Sequence, residues 1–537
     1  MTETTAIRSS RLFRSLALIA LVALAGLDAE AAGRAKLSRD LVERLGSGRD
    51  RAVRVIVSGD DARIARLAAR HGARIAKRLD GAAVLEVAER TLDALSEDAE
   101  VAHLSGDVPV RRLMAVTTAA IGADQAWDGA LAGITGVTGR GVGVAVIDSG
   151  IAAHPALRDR VVAAVDFTDS RGSAQDDYGH GTHVAGIIAG SHDSGYAGVA
   201  PNAHLVSLKV LKGDGSGDTS DVIAAIDWAV KNRARYDLRV INLSLGHPVF
   251  ESYRDDPLCQ AVERAVGAGM VVVAAAGNFG KTAEGKAVVG GIVSPGNTPS
   301  ALTVGASNTR GTAQRSDDVM ATYSSRGPTP IDGLLKPELV APGNRIVATA
   351  APGAYLTKTY PERLVLGAGQ GRFIEMSGTS MSTAVVSGSV ALLLASKPQL
   401  TPAEVKLALQ VTSSRLAGAG LIEAGAGQLN VVAALGLVSG EKTFRQLVDS
   451  LGLVLNGVSY RHHDGGTAVA FRANPQGLFW TSLLPPDSLV WTDSLVWTDS
   501  LVWTDSLVWT DSLVWTDSLV WTDSLVWTDS ATAGDPN

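Results

Sequence analysis

Cysteine is almost absent: the 537-residue chain holds one, Cys259. A lone thiol excludes an intramolecular disulfide framework, so stability must come from packing, with bound ions as the remaining aid. Cys259 sits in Pro257-Leu258-Cys259-Gln260-Ala261-Val262, a helical pattern in which a thiol behaves as a small buried hydrophobe, and a cysteine nucleophile has no support. Patterned positive charge is missing too. The net charge is −7, and the eight aspartates spaced every six residues from Asp487 to Asp529 exceed that total, leaving the rest close to neutral. No basic stripe is present to track nucleic acid. Long hydrophobic runs are also lacking. The run from Leu16 to Leu27 is about a dozen residues, short of the ~20 a membrane-spanning helix needs.

What is present is ordered along the chain. Arg8, Arg11 and Arg14 precede that apolar run, and Ala29-Glu30-Ala31 offers a small-x-small cleavage site. Residues 1–31 therefore read as an export signal, with a retained signal anchor as the alternative, and the expected location is extracellular. Residues 32–114 differ in pattern. Strands are expected over 52–57, 81–87 and 101–104, with helices over 60–71 (through Ile64, Leu67 and Ala68) and 90–95. This β-α-β-α-β order predicts a small α+β domain of ferredoxin-like type.

From 115 to 440 buried-strand patterns alternate with amphipathic helices. Residues 204–211, 239–245, 270–276 and 301–306 read as strands, and 221–234 and 256–268 as helices. The alternation predicts an α/β fold, a largely parallel sheet with helices on both faces. Residues 280–293 and 351–373 read as Gly-rich surface insertions. The extension 441–486 shows no interpretable pattern. Residues 487–530 repeat Asp-Ser-Leu-Val-Trp-Thr seven times. At period six a helix scatters the tryptophans over three stripes, whereas a strand keeps Asp, Leu and Trp on one face. A β-ladder, stacked short strands in a small solenoid, and a disordered tail are the open readings.

Three separated motifs carry chemistry. Gly143-Val144-Ala145-Val146-Ile147-Asp148 delivers a carboxylate at the end of a buried strand. Tyr178-Gly179-His180-Gly181-Thr182-His183 puts a histidine just before a helix of small residues. Ser377-Gly378-Thr379-Ser380-Met381-Ser382 places a serine at a helix N-terminus, where backbone N–H groups favour developing negative charge. A serine hydroxyl needs a base near the working pH, and imidazole, at ~6.5, is the natural candidate. A fourth segment, Val273-Ala274-Ala275-Ala276-Gly277-Asn278, ends a strand in an amide suited to an oxyanion.

The chain order Asp148, His180, Ser380 and these motifs resemble the subtilases, the subtilisin-like serine proteases, over residues 118–435. The resemblance implies a serine endopeptidase: Ser380 as nucleophile, His180 as base, Asp148 orienting it, and Asn278 with the Ser380 N–H as oxyanion donors. It implies a substrate groove walled by Ser244-Leu245-Gly246, by Gly215-Ser216-Gly217 and by Ala276-Gly277, pairing with the peptide backbone as an added strand. It also implies that 32–114 is a propeptide, a folding assistant and intramolecular inhibitor, cleaved near Met114-Ala115 after an extended segment containing Pro109. The Arg111-Arg112 pair is the rival site. Phe279, where a charged residue is frequent, disfavours a cation-seeking primary pocket. One departure stands out: Ser382-Thr383-Ala384-Val385 lacks the proline and histidine usual after the nucleophile, leaving the local turn open.

No cofactor is required for this chemistry and no metal ligand is assigned. His183 lies at i+3 from His180, but zinc needs a third ligand and no HExxH glutamate is present, so it reads as structural. Asp166, Asp169, Asp176 and Asp177 lack EF-hand spacing and read as a solvated acidic loop, with structural calcium as the alternative. The expected partners are polypeptide substrates and the propeptide, with self-association or surface contact through the repeats. Two other functions are carried alongside: a silent peptide-binding scaffold, and a surface or assembly protein acting through its tail.

Overall fold

The computed structural model describes residues 36–38, 41, 52–79, 81–106, 113–127, 136–168, 174–367, 371–451, 455–463, 466–474 and 477–484, with short strands between 495 and 526. The expected export signal and Asp169 lie outside them. The chain forms two compact units, Met1–Val110 and Arg111–Asn537.

In the first unit the elements are β1 (Lys36–Leu37), β2 (Ala52–Ser58), α1 (Asp61–Arg70), β3 (Arg74–Leu79), β4 (Ala82–Ala88), α2 (Leu92–Ser96) and β5 (His103–Gly106). The Asp60 side chain caps α1 by accepting from the Arg63 N–H at 2.8 Å. The helix then buries Ile64, Leu67 and Ala68 in one core with Val55, Leu85 and Leu104. The sheet order is β1-β5-β2-β4-β3. Strand β3 is absent from the sequence expectation because Arg74-Ile75-Ala76-Lys77-Arg78-Leu79 is a mostly exposed edge without clean alternation. Its pairing with β4 corrects the order from β2 onward to β-α-β-β-α-β, with the two-residue β1 added at the edge beside β5.

The second unit opens with α3 (Leu113–Ile121) and α4 (Ala123–Trp127), then β6 (Gly143–Asp148), β7 (Val161–Asp166), α5 (His180–Ala189), β8 (His204–Lys209), α6 (Thr219–Asn232) and β9 (Leu238–Leu243). Next come α7 (Pro257–Gly267), β10 (Val271–Ala275), β11 (Leu302–Asn308), β12 (Val319–Met320), β13 (Leu339–Pro342) and β14 (Ile346–Thr349). After them lie α8 (Tyr355–Thr359), β15 (Leu364–Leu366), β16 (Arg372–Met376), α9 (Thr379–Ser396), α10 (Pro402–Val411), α11 (Leu421–Ala424) and α12 (Val431–Ser439). Helix α13 (Glu441–Leu451) and strands β17 (Val458–His463), β18 (Gly466–Asn474) and β19 (Gly477–Leu484) follow.

The main sheet runs β12-β11-β10-β9-β6-β8-β7, with β13 also beside β11. Only the short β12 is antiparallel to its neighbour. Its strands read as continuous apolar runs because both faces are covered. Val144 and Val146 of β6 join a core with Ile187 of α5 and Val386 and Val390 of α9. Their neighbours Ala145 and Ile147 join the opposite core with Ile226 of α6 and Val262 of α7. Helix α9 is long and apolar enough to cross a membrane, but 83% of that stretch is buried inside the fold. Parallel order brings the C-terminal ends of β6, β9 and β10 to one edge, which is where sites form in such sheets.

Three expectations need correction. Residues 351–373 are organised rather than a plain insertion: α8 and β15 lie there, and β15 completes the antiparallel sheet β14-β16-β15. The segment expected to be extended through Met114 is helical from Leu113, since Leu-Met-Ala-Val is a good helix-forming run once past Pro109. The extension after 440 is also structured. Phe444 and Leu447 of α13 are buried, and Gly436 of α12 lies so close that an added Cβ would come within 2.6 Å of Leu447. Its strands β17-β18-β19 form an antiparallel sheet.

Strand β17 docks through polar groups. The Tyr460 hydroxyl donates to the Pro337 carbonyl, and Ser459 Oγ donates to Gln410 Oε1 at 2.9 Å. His462 Nε2 lies 3.5 Å from Glu338, which also takes Lys336 Nζ at 2.7 Å, Lys406 Nζ at 2.6 Å and the Thr303 N–H at 2.7 Å. Burial disfavours the Glu338 carboxylate, but the two lysines and His462 outweigh it and hold its pKa well below the usual range. In the repeats the described strands pair in parallel at an offset of 18 residues, three copies. Leu495 lies against Leu513, Val502 against Val520 and Ser506 against Ser524.

Replacing one partner of a fully buried ion pair strands the other charge, at a cost of about 3–5 kcal/mol. Glu338→Gln is therefore expected to lower unfolding free energy by about 3 kcal/mol in urea titrations. An unchanged midpoint would show that the cluster contributes nothing to the body of the fold.

Candidate active site

Strand β6 is central and buried on both faces, so Asp148 emerges at its end with a side chain wholly shielded from water. The Ser149 N–H donates to Asp148 Oδ1 at 2.7 Å. Both carboxylate oxygens face His180 Nδ1, at 2.8 and 2.9 Å. A carboxylate only accepts, so Nδ1 carries the proton and Nε2 is left with its lone pair. Burial opposes the imidazolium, yet the Asp148 charge, its hydrogen bond and the Asp176 charge outweigh it and raise the His180 pKa above 6.5.

His180 begins α5 after Gly179, whose φ of 105° suits glycine. Asp176, three residues before that glycine, fixes this helix start. Its Oδ1 accepts from the Gly179 N–H at 2.6 Å and Ser149 Oγ at 2.7 Å. Its Oδ2 accepts from the Thr182 N–H at 2.8 Å and Thr182 Oγ1 at 2.6 Å. Ser149 Oγ in turn accepts from the Gly181 N–H at 2.9 Å, and Thr182 Oγ1 from the Ala152 N–H at 2.9 Å. The turn bearing Asp148 and the helix bearing His180 are thus joined through one carboxylate.

Ser380 lies in the first turn of α9. Its hydroxyl donates to the Ser244 carbonyl at 3.0 Å, and Ser244 Oγ donates to the Ser380 carbonyl at 2.9 Å. A hydroxyl has one proton, so in this rotamer it is committed to Ser244 and is not donated to His180. Asn278 follows β10. Its Oδ1 accepts from the Thr379 N–H at 3.0 Å and Thr379 Oγ1 at 3.1 Å. Because a backbone N–H can only donate, this bond fixes the amide, and the NH₂ side lies over Gly378, 3.5 Å from where a Cβ would be.

The groove segments are tightly held. His247, just beyond Ser244-Leu245-Gly246, pairs with Ser294, and an added Cβ on Gly246 would come within 2.6 Å of the Ser294 carbonyl. Gly277, at φ 107°, leaves no room for a side chain: Ser325 Oγ and Val293 each lie 2.8 Å from its Cβ position. The Ala276 carbonyl accepts from the Val293 N–H at 3.1 Å. The loop with Gly215-Ser216-Gly217 closes through a Leu211–Gly217 bridge and a Ser216 Oγ bond to Asp214 at 2.6 Å.

Comparison with known proteins shows the family. The Subtilase family model matches residues 139–430, more than half of the chain. The chain belongs to the subtilase family. Serine protease AprX of Bacillus subtilis is 40% identical over 278 residues, 50% of this chain and 60% of that protein. The Alkaline protease of Alkalihalobacillus alcalophilus is 34% identical over 63% of this chain and 77% of its own. Subtilisin E of Bacillus subtilis is 38% identical over 56% of this chain and 67% of its own. Residues 139–430 are thus a serine-type endopeptidase domain.

Within this subtilase domain several side chains depart from the sequence reading. Asp176 is buried and fully hydrogen-bonded rather than solvated, and burial pushes its pKa up against the pull of those bonds. Asp177 pairs with Lys209 at 2.9 Å, and Thr168 occupies Asp166 Oδ1 at 2.7 and 2.9 Å. These three carboxylates do not converge on a cation, and among the described residues no group of three His, Cys, Asp or Glu side chains does. His183, by contrast, has the structural role expected of it: Nε2 bridges the carbonyls of Ile346 and Ile374, at 3.2 and 3.0 Å, and burial lowers its pKa to about 3. It ties α5 to β14 and β16. The stretch after Ser380 is not a turn: Ser382 Oγ bonds the Ala341 carbonyl at 2.9 Å, Thr383 Oγ1 the Thr379 carbonyl at 2.8 Å, and α9 runs unbroken. Phe279 is half exposed, with its N–H on Ser325 Oγ at 3.0 Å.

If Nε2 must be unprotonated to act, activity is lost as pH falls through the raised His180 pKa. The acid limb of kcat/KM is expected above pH 6.5. In Asp148→Asn it should move to lower pH, with turnover reduced by about 10⁴-fold, the loss this change causes in another serine-protease triad. A pH–rate profile with an unmoved limb would assign the ionisation to another group.

Proposed function

We propose that the full chain is a secreted serine endopeptidase made as a zymogen, with Asp148, His180 and Ser380 as its triad and residues 32–114 as its propeptide. The observation that carries this reading is the His180 imidazole, held by Asp148 at 2.8 Å through Nδ1 so that Nε2 keeps its lone pair for use as a base. Once the Ser380 hydroxyl turns from the Ser244 carbonyl towards Nε2, its proton passes to His180 as Oγ attacks the peptide carbonyl carbon. The oxyanion is met by Asn278 Nδ2 and the Ser380 N–H at the positive end of α9. His180 then gives the proton to the leaving amine, and water repeats the sequence on the acyl-enzyme. Asp148 holds the tautomer and offsets the imidazolium charge. Ser244-Leu245-Gly246 and Gly215-Ser216-Gly217 flank the substrate backbone, and Ala276-Gly277 lead into Asn278.

Ser380→Ala is expected to abolish hydrolysis and leave the secreted chain with residues 32–114 still attached, whereas Asn278→Ala lowers kcat by about 10²–10³-fold, the loss known for a missing donor in subtilisin, with KM little changed. Near-normal turnover in Ser380→Ala would refute the nucleophile, whereas absence of hydrolysis by the wild-type chain would favour a silent peptide-binding scaffold.

A second role, self-association through the tail, is supported by the 18-residue offset, which sets described residues of one repeat against identical residues of another, in a sequence that carries an aspartate every six residues with no cation between them to relieve the repulsion. Acid removes that repulsion, so a peptide of six or more copies should gain β-structure and mass as pH falls towards the carboxylate range. Circular dichroism and sedimentation showing a monomeric coil throughout would exclude it.

A further inference from the structure

Two tyrosines stand beside the histidine, and none of the roles assigned above uses their rings. Tyr178 precedes His180 by two residues, with its ring centroid 6.5 Å from the imidazole at an interplanar angle of 38°. Tyr355, at the start of α8, stacks on Tyr178 at 5.8 Å and 16°. Main-chain bonds lock the pair in place. The Tyr355 N–H donates to the Asp177 carbonyl at 2.8 Å, and the Leu356 N–H to the Tyr178 carbonyl at 3.0 Å. Thr357 Oγ1 closes the α8 end by bonding the Ala354 carbonyl at 2.8 Å.

A neighbouring loop also packs closely on Tyr178. Gly215, at φ 84°, approaches so closely that a Cβ there would lie 2.6 Å from the Tyr178 ring. Gly179 likewise packs its bare Cα against Ala354, with the Cβ position 3.2 Å away. Backbone bonds alone suffice to dock α8 on the His180 loop. The rings add an apolar surface that Tyr355 leaves 49% exposed at the mouth of the site. Of the neighbouring carboxylates, Asp177 pairs with Lys209 at 2.9 Å, while Asp214 accepts from Ser216 Oγ at 2.6 Å and keeps its charge.

We propose that Tyr178 and Tyr355 form an aromatic wall that selects a large apolar or aromatic side chain on a substrate residue next to the scissile bond. The inference rests on the endopeptidase reading. A side chain passing the imidazole meets a rigid ring face whose surface leaves water on contact, and a ring stacked there gains more than a methyl group does.

The test uses the secreted, processed enzyme and matched peptides varied at the two residues on each side of the cleaved bond. At one of these positions Phe or Leu should exceed Ala in kcat/KM by about tenfold. Tyr355→Ala and Tyr178→Ala should each shrink that ratio several-fold, chiefly through KM, while Tyr355→Phe and Tyr178→Phe preserve it. A ratio unchanged in both alanine variants, an equal loss of kcat on every peptide, or a wild-type preference for Lys or Arg at that position would overturn the wall. Absence of any hydrolysis by the wild-type enzyme would instead refute the endopeptidase reading.

Discussion

Four hydrogen bonds to one buried carboxylate hold the catalytic edge together. Asp176 binds the turn after β6 through Ser149 and the start of α5 through Gly179 and Thr182. Without those donors a carboxylate this deeply buried would be costly, because its charge would lose water with nothing in return. With them, charge-assisted bonds make the joint stiff and directional. Asp148 and His180 belong to separate elements, and their 2.8 Å contact depends on that joint. The tautomer of His180, its raised pKa and the freedom of Nε2 follow from the contact.

The sheet supplies the rest of the constraint. Parallel strands covered on both faces bring the ends of β6, β9 and β10 to one edge, so Asp148, Ser244 and Asn278 converge although 130 residues separate the first from the last. Helix α9 enters the same edge with its N-terminus. Ser244 and Ser380 exchange reciprocal bonds there, and Thr379 orients Asn278. The proposed oxyanion donors are therefore set by the same contacts that close the core.

Much of this was legible in the sequence where the signal is local. Asp148 at a strand end, His180 and Ser380 at helix starts, and Asn278 after a strand all sit in short motifs, and the parallel sheet follows from continuous apolar runs. What escaped is set by partners distant in the chain. Asp176 looks like one more acid in a polar loop until Ser149, 27 residues away, is placed against it. Its three-residue lead on Gly179 is the one local hint, a carboxylate spaced to cap a helix start. Tyr178 and Tyr355 are paired only by the fold. Strand β3 is an exposed edge, and β17 is recognised as part of the body only when Tyr460 and His462 meet Pro337 and Glu338. The 18-residue offset of the repeats is likewise a property of pairing, invisible in a six-residue period.

The central claim is that Ser380 is the one hydroxyl made nucleophilic by His180. Its most direct test is labelling of the processed enzyme with a fluorophosphonate, followed by intact-mass measurement and peptide mapping. The account predicts one adduct per chain, located on Ser380, formed faster as pH rises through the raised His180 pKa and absent in His180→Ala. An adduct on another residue, or labelling of Ser380 that persists undiminished in His180→Ala, would contradict it.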